Sequence, residues 1–136
     1  MTYLLDTNIC VHYLNQRESI VKRRLARVPS ADIRLCAIVK AELFDGAYRS
    51  SHQTQNLELL RSFFGLFISL PFDDPVAEVY GQVRADLAAK GPLIGPNDLM
   101  IGAIAFANKL TLVTHNTREF SRIPGLTLED WETPVK

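Results

Sequence analysis

Apolar residues along the chain alternate between short runs typical of buried strands and longer stretches with helical spacing. Strand-like runs lie at 3–5, 33–37, 66–70 and 110–114, with a weaker run at 126–128. Helical spacing predicts helices over 9–15, 18–28, 38–48, 54–65, 75–90 and 97–109. The last helix is apolar on almost every side, so we expect it at the centre of the molecule. This alternation predicts an α/β fold of three layers, α/β/α, around a central, mainly parallel sheet of four to five strands.

The predicted helix that carries Glu42 has an apolar face that can be assigned from its spacing. Ala41, Phe44 and Tyr48 share one side, which we expect to face the core. Glu42 then lies at the flank of that side, and Gly46 one turn ahead leaves room beside it. An ordinary solvated helix position is the alternative for Glu42.

Composition limits the classes of protein that fit. The 15 basic and 15 acidic residues balance to zero formal charge, which argues against nucleic-acid binding through the overall field but allows a local basic stripe. Cys10 and Cys36 lack partners at metal-ligand spacing, so we expect reduced thiols and a cytoplasmic location.

The longest nearly uncharged run, 62–72, is shorter than the ~20 residues of a membrane span. The first residues of the sequence do not show the basic stretch followed by an apolar core that is typical of a leader. We therefore expect no membrane association. No repeat or linker divides the chain, so one domain over 1–136 is expected.

Three carboxylates stand at comparable places in the predicted fold. Asp6 directly follows the first strand, Glu42 lies five residues past the second, and Asp98 opens the helix that leads to the fourth. Parallel strands end at the same edge of a sheet, where open α/β folds place their ligands. Asp98 could equally be an ordinary helix-start residue, but we find no folding role for Asp6 in the sequence.

Converging carboxylates need compensation for their charge. Two carboxylates about 4 Å apart repel by about 4 kcal/mol at an effective dielectric of 20, so a cation or a raised pKa must accompany them. Oxygen ligands without histidine or cysteine favour Mg²⁺ or Mn²⁺. These ions serve phosphate chemistry, so hydrolysis of a nucleic-acid backbone is the resulting hypothesis.

The segments that carry these acids resemble those of the PIN-domain ribonucleases, and the end of the chain resembles the VapC toxins of bacterial type II toxin–antitoxin pairs. The matching segments are LDTN at 5–8, AEL at 41–43, GPNDLMIGA at 95–103, LVTHNTREF at 112–120, RIPGL at 122–126 and LEDW at 128–131.

The resemblance implies a single PIN domain with Mg²⁺-dependent endoribonuclease activity, in which Mn²⁺ can substitute. Such an enzyme arrests translation by cutting RNA, with tRNA as the family-level substrate. The resemblance also implies a cognate VapB-type antitoxin, a homodimer and a toxin–antitoxin hetero-oligomer.

Asp6, Glu42 and Asp98 match the family's acidic triad and are the expected catalytic and metal-binding residues. The small polar residues Thr7, Asn8 and Thr114 match positions at the pocket. Asn116 departs from the family, because many members carry a fourth acid there, and an amide adds no negative charge. Glu119 could supply the missing carboxylate, although pairing with a neighbouring arginine is the simpler interpretation.

Weaker candidates lie outside these motifs. A basic face on the second predicted helix could follow an RNA backbone, although a solvated amphipathic helix explains it equally well. Among the histidines, only His115 is placed to touch a substrate. The phenylalanines of 63–72 predict core or a partner groove rather than a base-stacking platform. The basic face consists of Lys22, Arg23, Arg24 and Arg27.

Three rival functions fit parts of the pattern. A haloacid-dehalogenase-type phosphatase also has an aspartate after its first strand, but its second aspartate would fall on Asn8. A catalytically inactive PIN-like scaffold that binds RNA or a partner is the non-enzyme alternative, against which the intact triad speaks. A phosphorylated receiver domain would need paired acids near the first strand, and Asp6 stands alone there.

Overall fold

A parallel five-stranded sheet forms the centre of the computed structural model, which describes residues 1–15 and 18–134. The strands lie in the order β3-β2-β1-β4-β5, every neighbouring pair is parallel, and helices complete an α/β/α architecture. The elements are β1 (Tyr3–Leu5), α1 (Thr7–Asn15), α2 (Ile20–Ala26), β2 (Ile33–Cys36), α3 (Ala37–Tyr48), α4 (Gln53–Phe64), β3 (Ile68–Leu70), α5 (Asp74–Lys90), α6 (Pro96–Ala107), β4 (Thr111–Val113), α7 (Thr117–Phe120) and β5 (Thr127–Glu129), with a short 3₁₀ turn at Ser30–Asp32. The predicted fold class is confirmed.

Burial along the sheet explains why β1 lies at its centre. Leu4 and Leu5 are fully buried, and all of β4 beside them is buried. The edge strands β3 and β5 are half-buried or exposed along their length. The carboxyl end of β1 is therefore enclosed on both sides by neighbouring strands.

The helix boundaries differ from the predicted ones where a capping residue decides them. The helix after β1 begins at Thr7, two residues earlier than predicted, because the Asp6 side chain caps it. Helix α2 begins at Ile20 rather than Glu18, since the Ser19 hydroxyl accepts the Lys22 N–H at 3.0 Å.

The predicted buried face of α3 is right at Phe44 and wrong at the two other positions. Phe44 packs against the core, edge to face on the Phe64 ring of α4, at 5.2 Å between centroids. Ala41 is exposed and Tyr48 is 54% exposed. The buried side is instead the stripe of Val39, Leu43 and Ala47, which recur every four residues along the helix.

Helix α6 lies at the centre, as predicted, with an unbroken buried run from Ile101 to Ala105. A Cβ at Gly102 would approach Ile123 Cδ1 to 2.7 Å. The glycine therefore lets the segment around α7 pack directly on α6. This packing sets the position of Glu119 relative to the start of α6.

Three features expected from the composition and the apolar runs can be compared with the part of the chain that the structure describes. None of its helices combines the length and the apolar character needed to cross a bilayer. Cys10 and Cys36 are buried, free thiols. Phe63 and Phe64 are buried, while Phe67 and Phe72 pack against the core, which confirms a core role over a base-stacking platform.

Candidate metal centre

The Asp6 carboxylate has both a structural role and an unusual environment. Its side chain is 5% exposed, and its Oδ1 accepts the Ile9 N–H at 2.9 Å, which caps α1. This corrects the expectation that Asp6 has no folding role. Neutral serine or asparagine would cap the helix as well, so capping alone does not explain why a charge is buried here.

Burial raises the pKa of Asp6 to about 6. Removal from water is the largest cause, and the nearby carboxylates of Asp98 and Glu132 add to it. Hydrogen bonds from the Thr114 side chain and the Ile9 backbone oppose the rise but do not cancel it. The ionised form of Asp6 is therefore costly in the protein alone.

This cost predicts a pH dependence of stability. Below the unfolded-state pKa of 3.8, Asp6 is protonated in both states and carries no penalty. As pH rises toward about 6, the unfolded chain releases the proton first, so the free energy of unfolding should fall by up to about 3 kcal/mol. In metal-free buffer, thermal unfolding of Asp6→Asn should show a gain over the wild-type protein that grows across this window. A gain of the same size at every pH would contradict the assignment.

Glu42 is held in place from two other elements. The Thr7 hydroxyl donates to Glu42 Oε1 at 2.6 Å, and the Asn97 side-chain amide donates to Oε2 at 3.4 Å. Thr7 directly follows Asp6, and Asn97 directly precedes Asp98. Thr7 and Asn97, the chain neighbours of Asp6 and Asp98, therefore both contact Glu42 from the first turns of α1 and α6.

Asp98 lies in the first turn of α6 and is half-buried. Its pKa is raised, chiefly by burial and then by the carboxylates of Glu42 and Glu119. We refer to Asp6, Glu42, Asp98 and Glu119 together as the acidic pocket. Asp98 interacts by charge with each of the other three acids, because it also raises the pKa of Asp6.

The donor chemistry of the acidic pocket fits a hard divalent cation. Within residues 1–15 and 18–134, no lysine or arginine forms an ion pair with Asp6, Glu42 or Asp98. Among the same residues, no three acidic, histidine or cysteine side chains already enclose a point at ligand distance. Mg²⁺ commonly keeps several waters and uses only one or two carboxylates, so a closed protein cage is not required.

The other predicted pocket residues occupy different positions around the acids. Thr114 is fully buried beneath Asp6, and its Oγ1 accepts the Asn116 N–H at 2.9 Å. Asn8 is exposed, on the solvent side of α1. Glu119 pairs with Arg122 at 3.1 Å, as the simpler interpretation expects, and its charge raises the pKa of Asp98. A role for Glu119 as the missing carboxylate of the site stays a prediction. Arg122 also donates to the Pro92 carbonyl, which ties α7 to the loop before α6.

The basic residues of α2 have contacts within the molecule. The Arg24 guanidinium donates to the carbonyl oxygens of Asp130 and Thr133, at 2.6 and 2.9 Å, and so anchors the segment after β5. Lys22 lies over the Tyr13 ring, and Arg23 approaches Glu18 at 3.6 Å. An RNA-binding role for Lys22, Arg23, Arg24 and Arg27 stays a prediction.

Sequence reasoning did not find the partners of several site residues. Asn97 enters the sequence analysis only as a residue of the matched segment 95–103, although it donates to Glu42. Asp130 and Glu132 went unremarked as charged neighbours of the pocket, yet Glu132 acts on Asp6 and Asp130 holds His115 at 3.0 Å. These contacts join residues that are far apart in the chain, so no local sequence pattern predicts them.

Comparison with known proteins identifies the group to which this arrangement is similar. The PIN domain family matches residues 3–126. Ribonuclease VapC2 of Rickettsia felis is 39% identical over 133 residues, which cover 97% of this chain and 99% of that protein. The tRNA(fMet)-specific endonuclease VapC of Salmonella typhimurium is 35% identical over 131 residues, covering 96% and 98%. The crystal structure of VapBC2 from Rickettsia felis bound to a DNA fragment from their promoter matches with a TM-score of 0.90 at 39% identity, over 96% of this chain and 99% of that chain.

Proposed function

The chain belongs to the PIN domain family, and we propose that it is a metal-dependent endoribonuclease, the toxin of a type II toxin–antitoxin pair, with its active site at the acidic pocket. The observation that carries the site assignment is the buried, unneutralised carboxylate of Asp6 beside Asp98 and Glu42. Such a charge is costly unless a bound cation compensates it. PIN-domain ribonucleases generally depend on divalent metal ions, and we propose Mg²⁺, with Mn²⁺ able to replace it.

Each acid has a distinct part in the proposed reaction. Asp6 and Asp98 would hold the cation, because they are the two acids of the pocket whose pKa values are raised by burial and by repulsion from neighbouring carboxylates. Glu42, fixed by Thr7 and Asn97, is oriented to accept the proton of the attacking water. When bound, a divalent cation would lower the pKa of that water and neutralise charge on the leaving oxygen. The products are two RNA fragments, one of which carries the phosphate.

Residues behind the acids keep them in position. The Thr114 hydroxyl supports Asp6, while the Asn116 backbone fixes Thr114 in turn. Asn116 leaves the place of a fourth acid uncharged, so Glu119 is the remaining carboxylate able to approach Asp98. Arg122 pairs with Glu119 and offsets its negative charge, which favours a single tightly held cation over two.

Substrate and partners follow from the relatives. One relative is named a tRNA(fMet)-specific endonuclease, and we propose a tRNA as the substrate here. Two of the matching structures are VapBC complexes bound to DNA, in one case to a fragment from their promoter. We therefore propose a VapB-type antitoxin as the partner, with a toxin homodimer inside the hetero-oligomer and a cytoplasmic location. Promoter DNA bound to one of these relatives is consistent with a shared regulatory assembly.

A groove beside Glu42 is the surface that we propose the antitoxin covers. It is about 280 Å³ in volume, begins at Thr7 and Glu42, and runs between α1, α3 and α4. Val11 and Leu59 line it and are 37% and 49% exposed, although both are apolar. Exposed apolar surface usually marks a contact, and this one adjoins the acidic pocket, so its occupant would also obstruct the substrate.

Incubation with RNA tests the proposed function. Purified protein should cut bulk tRNA in Mg²⁺ and should stop when EDTA is added, because the acids alone cannot activate water. A phosphomonoester offered in the same buffer should remain intact, which separates this activity from that of a haloacid-dehalogenase-type phosphatase. If correctly folded protein with Mg²⁺ leaves both bulk tRNA and total cellular RNA uncut, the inactive scaffold is the better interpretation.

A further inference from the structure

His115 lies at the rim of the acidic pocket but takes no part in the chemistry described above. It follows Thr114, whose buried side chain supports Asp6, and the charge of Asp6 is felt at the His115 ring. The His115 side chain is nevertheless 61% exposed. The ring is therefore close to the metal centre and open to solvent.

Asp130 holds the His115 ring in one orientation. Its Oδ2 lies 3.0 Å from His115 Nδ1 and also accepts the Thr133 hydroxyl at 2.6 Å. Its Oδ1 accepts the Glu132 N–H at 2.9 Å. The carboxylate is thus fixed by three donors, and it orients Nδ1 toward itself, which leaves Nε2 on the far side of the ring.

The charge of the surroundings gives the ring a further property. Asp130 raises the pKa of His115, by hydrogen bond and by charge, and Glu132 and Asp6 act in the same direction. The ring is thereby favoured as a cation that carries an N–H on both nitrogens. Arg122 also carries a positive charge near the acidic pocket, but that charge is already paired with the Glu119 carboxylate.

RNA that enters an acidic pocket brings phosphates next to carboxylates, so cationic donors at the rim are needed to hold the flanking backbone. We propose that His115 binds a non-bridging oxygen of an RNA phosphate next to the scissile bond through Nε2, and that Asp130 positions its ring for this contact. The proposal rests on the proposed ribonuclease function. It assigns His115 a substrate-binding role and Asp130 a positioning role.

Binding of RNA without cleavage isolates this contact. In an Asp98→Asn background with Mg²⁺, affinity for bulk tRNA is measured over a range of KCl concentrations. His115→Gln should weaken binding about fivefold to tenfold and reduce the slope of log affinity against log salt by about one. His115→Lys should restore both, because it returns a cationic donor. Asp130→Asn should weaken binding by a smaller factor, since the amide can still accept from the ring but carries no charge.

Controls and kinetics separate this role from a structural one. His52 is an exposed histidine in the turn before α4, and His52→Gln should leave affinity and salt slope unchanged. On the active protein, His115→Gln should raise KM with kcat within about twofold, as expected for a group that binds the substrate equally in the ground and transition states.

The outcomes distinguish the two proposals. If the parent protein cleaves RNA but His115→Gln matches it in affinity, salt slope and KM, the His115 assignment is overturned and the ribonuclease assignment stands. If His115→Lys behaves like His115→Gln, the phosphate contact is overturned, because a structural role is then the better explanation. A parent that neither binds nor cuts RNA overturns both proposals.

Discussion

Replacing Asp6 or Asp98 with asparagine should lower the rate of RNA cleavage by about 100-fold or more. Asparagine keeps the size and one oxygen of the side chain but removes the negative charge that binds the cation. At position 6 it can also keep the cap on α1, because its oxygen can accept the Ile9 N–H. Loss of activity in Asp6→Asn would therefore report on the charge rather than on the fold.

The same substitution of aspartate by asparagine at an exposed position provides a matched control. Asp45 is an exposed carboxylate of α3 that pairs with Arg49 at 3.0 Å, so Asp45→Asn removes the same charge away from the acidic pocket. We expect its cleavage rate to stay within about twofold of wild type, since exposed ion pairs contribute little. Full activity in both Asp6→Asn and Asp98→Asn would remove the basis for the site assignment.

Growth arrest is the second large effect that we expect. Production of the protein in bacteria that lack its antitoxin should stop cell division, because cleaved tRNA cannot support translation. The same production of Asp98→Asn should allow growth, since this variant keeps the fold and the exposed surfaces but loses a cation ligand. Growth curves with immunoblots of soluble protein measure both the effect and the amount of protein.

Co-expression of the cognate antitoxin supplies the complementary control. It should restore growth of cells that carry the wild-type protein, since we propose that the antitoxin covers the groove beside Glu42. Normal growth in cells that accumulate soluble wild-type protein alone would count against the toxin assignment. That result would leave cleavage in vitro to be judged separately.

Local patterns in the sequence were sufficient for the order of the elements. Strand-like runs and helical spacing persist over several residues, and short parallel strands joined by helices leave few arrangements. The four-residue helix α7 was missed because it is shorter than two helical turns and so shows no period. The buried side of α3 was predicted only in part, because this helix is apolar on more than one side and its spacing alone does not select the stripe of Val39, Leu43 and Ala47.

The convergence of the acids of the candidate site was also predicted from the sequence, because strand ends and helix starts are local features that topology brings to one edge. Their supporting contacts were not. The bonds from Thr7 and Asn97 to Glu42 span 35 and 55 residues, and they depend on how α1, α3 and α6 pack. Arg24 shows the converse, because a residue that looks solvated on a helical wheel holds a segment more than 100 residues away.

Thermal unfolding of the wild-type protein and Asp6→Asn, each with EDTA and with Mg²⁺, tests most directly whether a cation neutralises Asp6. At about pH 7.5 in EDTA, Asp6→Asn should unfold at the higher temperature, because it lacks the buried carboxylate, whose pKa is raised to about 6 by removal from water. Addition of about 10 mM Mg²⁺ should raise the unfolding temperature of the wild-type protein and leave Asp6→Asn nearly unchanged. An equal shift in both proteins, or a shift in neither, would contradict a cation site built on Asp6.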